Sequence, residues 1–129
     1  MWIKAECKMK SEHRAPELKE RTFLFAQRIV RMYVALPKTT VAQVLGKQVL
    51  RSGTSVGANY REATRARYQA EFVAKVGDCL KEAEETAYWL ALLATVNLIP
   101  ETRLNPLIDE TQQVIATFIA SLKTARKES

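Results

Sequence analysis

The sequence predicts an all-α fold, an antiparallel up-down-up-down four-helix bundle, and three observations carry that prediction. Apolar residues recur at helical 3–4 spacing in four separate segments. The connections between those segments are short and carry Pro, Thr or Asn. No stretch shows the strict alternation of a half-buried strand, and no internal repeat competes. Short connections between amphipathic helices make sequence neighbours antiparallel neighbours in space.

Residues 1–16 lack a sustained period and end at Pro16, so they are expected to form a basic N-terminal arm, mobile or loosely docked, carrying Lys4, Lys8, Lys10 and Arg14. From Glu17 to Leu36, the apolar Leu18, Phe25, Ile29, Met32, Tyr33 and Leu36 define a first helix. Phe23, Leu24 and Val30 widen its apolar stripe, which implies more than one neighbour. Pro37 ends it, because the residue before a proline is biased away from helical dihedrals. Thr39 or Thr40 can cap the second helix, which runs through Val41, Val44, Leu45, Gln48 and Val49. A third begins near Gln69, and its Phe72, Val76, Cys79, Ala83, Thr86, Leu90 and Leu93 mark it as the centre of the core. Asn97, Pro100 and Thr102 stop that helix and restart a fourth on Leu104, Leu107, Ile108, Thr111, Ile115, Phe118, Ile119 and Leu122. The bundle domain is thus assigned to residues 17–126, with 127–129 as a tail.

With 129 residues, the chain is long enough to bury one core without staples. No apolar run approaches the roughly 20 residues of a membrane span, and the N-terminus has no apolar signal-peptide core. A cytoplasmic location without membrane partners is expected. Cys7 and Cys79 are far apart, with no CxxC pair or His cluster, so both are expected as reduced thiols and neither metal nor cofactor is expected.

Charge is distributed unevenly. Residues 38–67 hold Lys38, Lys47, Arg51, Arg61, Arg65 and Arg67 against Glu62 alone, a balance of +5. Residues 68–100 hold Lys75 and Lys81 against Glu71, Asp78, Glu82, Glu84 and Glu85, a balance of −3. Two readings compete: the basic and acidic helices pair within or between subunits, or the basic one is an electrostatic footprint for nucleic acid.

Between good helix formers lies Arg51 to Asn59, RSGTSVGAN, the stretch richest in small and hydroxyl residues. Gly53-Thr54-Ser55-Val56-Gly57 matches the G-x-S-x-G nucleophile elbow in letters. That motif requires a strand-to-helix turn and an imidazole base. The flanks here read as helix and the one histidine is His13, so no catalytic residue is assigned. A phosphate loop of the G-x-x-x-x-G-K-S/T order is also absent. In a continuous helix, Ser52, Ser55 and Asn59 share one face and Gly53 and Gly57 a neighbouring one, a surface for close helix packing or for an oligomer interface. Arg51, Asn59 and Glu62 are expected to form a buried polar network, which makes Asn59 more costly to replace than a surface residue.

The segment from Gln48 to Ala63, QVLRSGTSVGANYREA, and the segment from Leu80 to Leu90, LKEAEETAYWL, resemble the signature blocks of the bacterial four helix bundle protein family. These are the 23S rRNA intervening-sequence proteins, formerly named ribosomal protein S23. The likeness spans roughly Leu18 to Leu122. It implies a bundle that assembles as a ring-like homo-oligomer, usually a pentamer, without enzymatic activity. It also implies distant kinship to the accessory variability-determinant proteins of diversity-generating retroelements, which bind nucleic acid and a reverse transcriptase. The leading expectation is a non-enzymatic homo-oligomer whose Lys47, Arg51, Arg61, Arg65 and Arg67 contact RNA or DNA. The alternative is a protein–protein scaffold in which Arg61, Arg65 and Arg67 pair with Glu82, Glu84 and Glu85 of a neighbouring subunit.

Overall fold

The computed structural model describes residues 4–127, with side chains described from Glu17 to Lys127. Four helices follow in order: α1 (Lys4–Val34), α2 (Thr40–Ala63), α3 (Gln69–Thr95) and α4 (Glu101–Lys127). Among the described residues there is no strand. The architecture is the all-α antiparallel bundle that the periodicity predicts.

Helix α1 starts at Lys4, whereas the sequence reading opens its first helix at Glu17 and treats Pro16 as a boundary. Pro16 removes a single amide donor. The residues before it are rich in Ala, Glu, Lys and Met and contain no Gly, so helix propensity favours continuation on both sides. The side chains of residues 1–16, Cys7 and His13 included, and the tail at 128–129 lie outside the described part.

Local signals explain the other boundaries. Thr39 is the N-cap of α2: its backbone is extended and its hydroxyl accepts a hydrogen bond from the Ala42 amide at 3.2 Å. Asn97 ends α3 with a positive φ of 58°, the left-handed position that Asn tolerates better than most residues. Pro106 lies inside α4 near its exposed start.

The core is built from Phe25 and Ile29 of α1, Val49 and Val56 of α2, Val76, Leu90 and Leu93 of α3, and Leu104, Val114 and Phe118 of α4, all essentially inaccessible to solvent. Tyr60 tilts against Phe118 with ring centroids 5.8 Å apart. Cys79 is buried with a free thiol. Burial pushes both the Tyr60 hydroxyl and the Cys79 thiol up to about 12, so each stays neutral inside the bundle.

Candidate nucleic-acid interface and the packing of the small-residue helix

Helix α2 runs unbroken through RSGTSVGAN, and its small residues pack against two different neighbours. Gly53 and Gly57 face α1. A Cβ at Gly53 would stand 2.7 to 3.0 Å from three carbons of Ile29, and one at Gly57 would meet the Thr22 hydroxyl and carbonyl oxygens at 3.2 and 3.3 Å. Gly46 continues this row, lying beneath the Leu36 and Tyr33 side chains. The two helices approach so closely that at Gly53 even a Cβ would force Ile29 to shift, while at Gly57 the fit is tight against the Thr22 backbone. Each interior glycine costs about 1 kcal/mol of helix propensity relative to Ala, which the inserted Ile29 side chain offsets by burial at about 25 cal/mol per Å².

Ser52 faces α3. Its hydroxyl lies 2.8 Å from that of Thr86, and both residues are fully buried. The Ser52 hydroxyl also reaches the Gln48 carbonyl at 2.9 Å, and Thr86 the Glu82 carbonyl at 2.8 Å. With one proton on each hydroxyl, Thr86 donates either to Ser52 or to the Glu82 carbonyl and Ser52 can donate to the Gln48 carbonyl, so both buried oxygens are satisfied. Ser55 is half-buried and returns its hydroxyl to the Arg51 carbonyl at 2.6 Å, in the manner of serines inside helices. It stands in mid-helix, without the strand-to-helix turn that a nucleophile elbow requires. Among the described residues no three or more His, Cys, Asp or Glu side chains converge as around a metal ion.

The expected network of Arg51, Asn59 and Glu62 does not form. Arg51 turns to α3, where it pairs with Glu85 and with Glu82, the latter at 3.4 Å. Glu62 instead accepts from Lys75 at 3.1 Å. Asn59 is half-buried and takes part in neither pair. Helical geometry alone puts residues 51, 59 and 62 on one helix, yet the acidic α3 supplies nearer partners than α2 does. Trp89 reinforces the pairing by donating its indole N–H to Glu85 at 3.0 Å.

The five basic residues of the expected interface thus fall into separate environments. Arg51 remains exposed but is paired with Glu82 and Glu85 across the α2–α3 seam. Lys47 is exposed on the outer surface of α2. The Arg61 guanidinium lies over the Phe23 ring, 5.3 Å from its centroid. Arg65 and Arg67 are exposed at the turn between α2 and α3, with no ion pair to either among the described residues. The Glu71 carboxylate reaches back to the backbone amide of Arg67 at 3.3 Å.

At the same end, Gln69 donates to the Ala125 carbonyl, which fixes the C-terminal turn of α4 beside the α2–α3 turn. Arg126 and Lys127 in that last turn therefore join Arg61, Arg65 and Arg67 at one end of the bundle. Cations in the last turn of a helix also complement its dipole. Their proximity to the α2–α3 turn depends on antiparallel closure, and only the bundle topology could have indicated it.

An all-α bundle with this connectivity defines the class, a four-helix protein whose second helix is its tightest packing element. The family model for the 23S rRNA-intervening sequence protein matches residues 16–120, and the chain belongs to that family. A solved structure from Bacteroides thetaiotaomicron, a protein of unknown function from the S23 ribosomal protein family, is 39% identical. The similarity covers 82% of this chain and 98% of that one, with a TM-score of 0.78. Among curated proteins there is no match. No described helix is long and apolar enough to cross a membrane.

Proposed function

We propose that the protein is a non-enzymatic nucleic-acid-binding bundle whose contact surface is the cationic end formed by the α2–α3 turn and the C-terminus of α4. The observation that carries this reading is the exposure of Arg65 and Arg67 with no side-chain ion pair among the described residues, beside Arg61 and the last turn of α4. Guanidinium groups grip phosphate oxygens in pairs, which suits a polyanion. The target is RNA or a ribonucleoprotein, bound through the backbone: the exposed set is chiefly cationic, with Tyr68 and the Phe23 ring under Arg61 as exposed aromatics beside it among the described residues.

The bundle is further proposed to assemble as a homo-oligomeric ring, a pentamer by resemblance to its family. Exposed apolar side chains on different helices support this: Phe23, Leu24, Val30 and Val34 on α1, and Val41, Val44, Tyr88 and Val96 on α2 and α3. Two unlike patches that meet head to tail make a heterologous contact, which generates rings when the rotation closes. The scaffold alternative draws less support from the charges, since Glu82 and Glu85 already have Arg51 within the chain.

Filter binding to single-stranded RNA at several salt concentrations, with light scattering on the same samples, tests the reading. The expected result is salt-sensitive affinity, falling by about 0.7 log units per log unit of salt for each phosphate engaged. Arg65→Glu with Arg67→Glu should weaken binding at least tenfold at unchanged oligomer mass. Dissociation of the oligomer by the same pair of changes would favour the scaffold, and salt-independent or absent binding would remove the nucleic-acid reading.

A further inference from the structure

A second cationic feature lies at the opposite end of the bundle, in the seam between α1 and α4. There a hollow of about 280 Å³ is rimmed by Arg28 and Arg31 of α1 and Arg103 of α4, and no carboxylate lines it. Its wall and floor are aliphatic, made by Met32 and Ala35 on one side and by Ile99, Leu104 and Leu107 on the other. Arg31 donates to the neutral Gln27 amide at 3.4 Å, and none of the three arginines has an ion pair among the described residues. Arg103 stands in the first turn of α4, where the helix dipole adds positive potential.

The geometry points to a docking site for an acidic-aliphatic peptide segment, one that places a leucine-like side chain in the hollow and a neighbouring carboxylate on the arginines. The volume suits one aliphatic side chain with its adjoining carboxylate and falls just short of a drug-sized pocket. Charge complementarity selects the anionic part, since three unpaired guanidinium groups gather within one rim and carboxylates accept their paired donors. The lining argues against a nucleotide at this site. It offers no aromatic ring for a base to stack on and no amide or hydroxyl side chain to satisfy a base edge. The partner is therefore a protein that presents alternating acidic and aliphatic residues, held apart from the phosphate-binding end by the length of the bundle.

The test is fluorescence anisotropy of the full-length protein with a labelled peptide of alternating aspartate and leucine. Aspartate–serine and lysine–leucine peptides serve as controls. The aspartate–leucine peptide is expected to bind, the aspartate–serine peptide at least tenfold more weakly, and the lysine–leucine peptide not measurably. Arg28→Glu with Arg103→Glu should abolish binding while circular dichroism stays helical, and Arg28→Gln with Arg103→Gln provides the milder pair if the first fails to fold. Arg65→Glu with Arg67→Glu should leave peptide affinity unchanged, which separates this site from the RNA reading. Equal binding of the aspartate–serine peptide overturns the proposal, as does displacement of the bound peptide by a single-stranded RNA oligonucleotide. A fall in oligomer mass on Arg28→Glu with Arg103→Glu would identify a second copy of the chain as the occupant and would also overturn it.

Discussion

The seam between α1 and α2 and the seam between α1 and α4 use the same helix in opposite ways. Against α2, α1 inserts Ile29 over Gly53 and brings Thr22 onto Gly57, so the contact is dry and close-packed. Against α4, it is held at mid-length by Arg21, which grips Glu110 with Nε at 2.8 Å and Nη2 at 3.0 Å and reaches Gln113 at 2.9 Å. Hollows lie along that seam, one beside Glu17, Leu18 and Arg21 and the other at the arginine rim. Small residues let backbones meet and leave no room for a ligand, whereas long charged side chains span a wider gap and leave room on either side. Close packing is therefore found where α1 meets α2, and open hollows where α1 meets α4.

The closed seam is most sensitive at Gly53. Gly53→Val places a branched side chain where even a Cβ is within 3.0 Å of Ile29, so α1 must shift or Ile29 must leave its rotamer. Overpacking of this kind costs about 1 to 3 kcal/mol, and the removal of an interior glycine returns less than about 1 kcal/mol of it. Urea denaturation should show a net loss of about 2 kcal/mol. A midpoint equal to that of the wild type would mean that the seam is not close-packed.

Alkaline pH probes the bundle core where α2, α3 and α4 meet. Burial there raises the Cys79 thiol from its ordinary 9.0 to about 12, and the Tyr60 hydroxyl from 10.0 to about 12. Both are neutral acids in the fold, so the unfolded chain loses their protons first. The stability they contribute is complete below pH 9 and declines as the pH rises toward 12. By pH 10 the loss should be about 1.8 kcal/mol, most of it from Cys79. Thermal melts from pH 8 to 10 should show this decline in the wild type and a much flatter profile in Cys79→Ala, whose absolute stability is lower throughout. An equal slope in the two proteins would show that the thiol is not shielded.

A smaller effect is expected at the α2–α3 hydroxyl pair. Ser52→Ala leaves Thr86 bonded to the Glu82 carbonyl, so no buried oxygen is orphaned and the loss should be about 1 kcal/mol. Thr86→Val should cost a similar amount, and the double-mutant cycle isolates the hydroxyl–hydroxyl contact. A coupling energy indistinguishable from zero would assign both hydroxyls to their own helices alone.

These contrasts also explain what could be read in the sequence. Four helices, Thr39 as a cap, the stop at Asn97 and the packing role of Gly53 and Gly57 are local features, written in residues a turn or two apart. The partners of Arg51 were not legible, because Gln48, Glu82 and Glu85 compete with Asn59 and Glu62 only once α3 lies beside α2. Nor was the arginine rim, whose members sit 75 residues apart on α1 and α4 and share no periodic signal. The helical start at Lys4 was hidden by Pro16, a residue whose reputation as a helix stop outweighs the single hydrogen bond it removes.

The smallest change is expected on the open side, at Arg21. Its guanidinium holds Glu110 with two parallel hydrogen bonds, and the Glu110 carboxylate is the main cause of its raised pKa. Both partners retain contact with solvent, with side-chain exposures of 28% and 19%, so water replaces much of what the pair provides. Arg21→Ala should cost about 0.5 to 1 kcal/mol, the range of partly exposed ion pairs, and the loss should shrink in molar salt. Combined with Gly53→Val, it should add without coupling, since the two seams lie on different faces of α1. If Arg21→Ala instead unfolds the chain as far as Gly53→Val does, the α1–α4 seam carries stability through that one bridge, and the division between a closed and an open side fails.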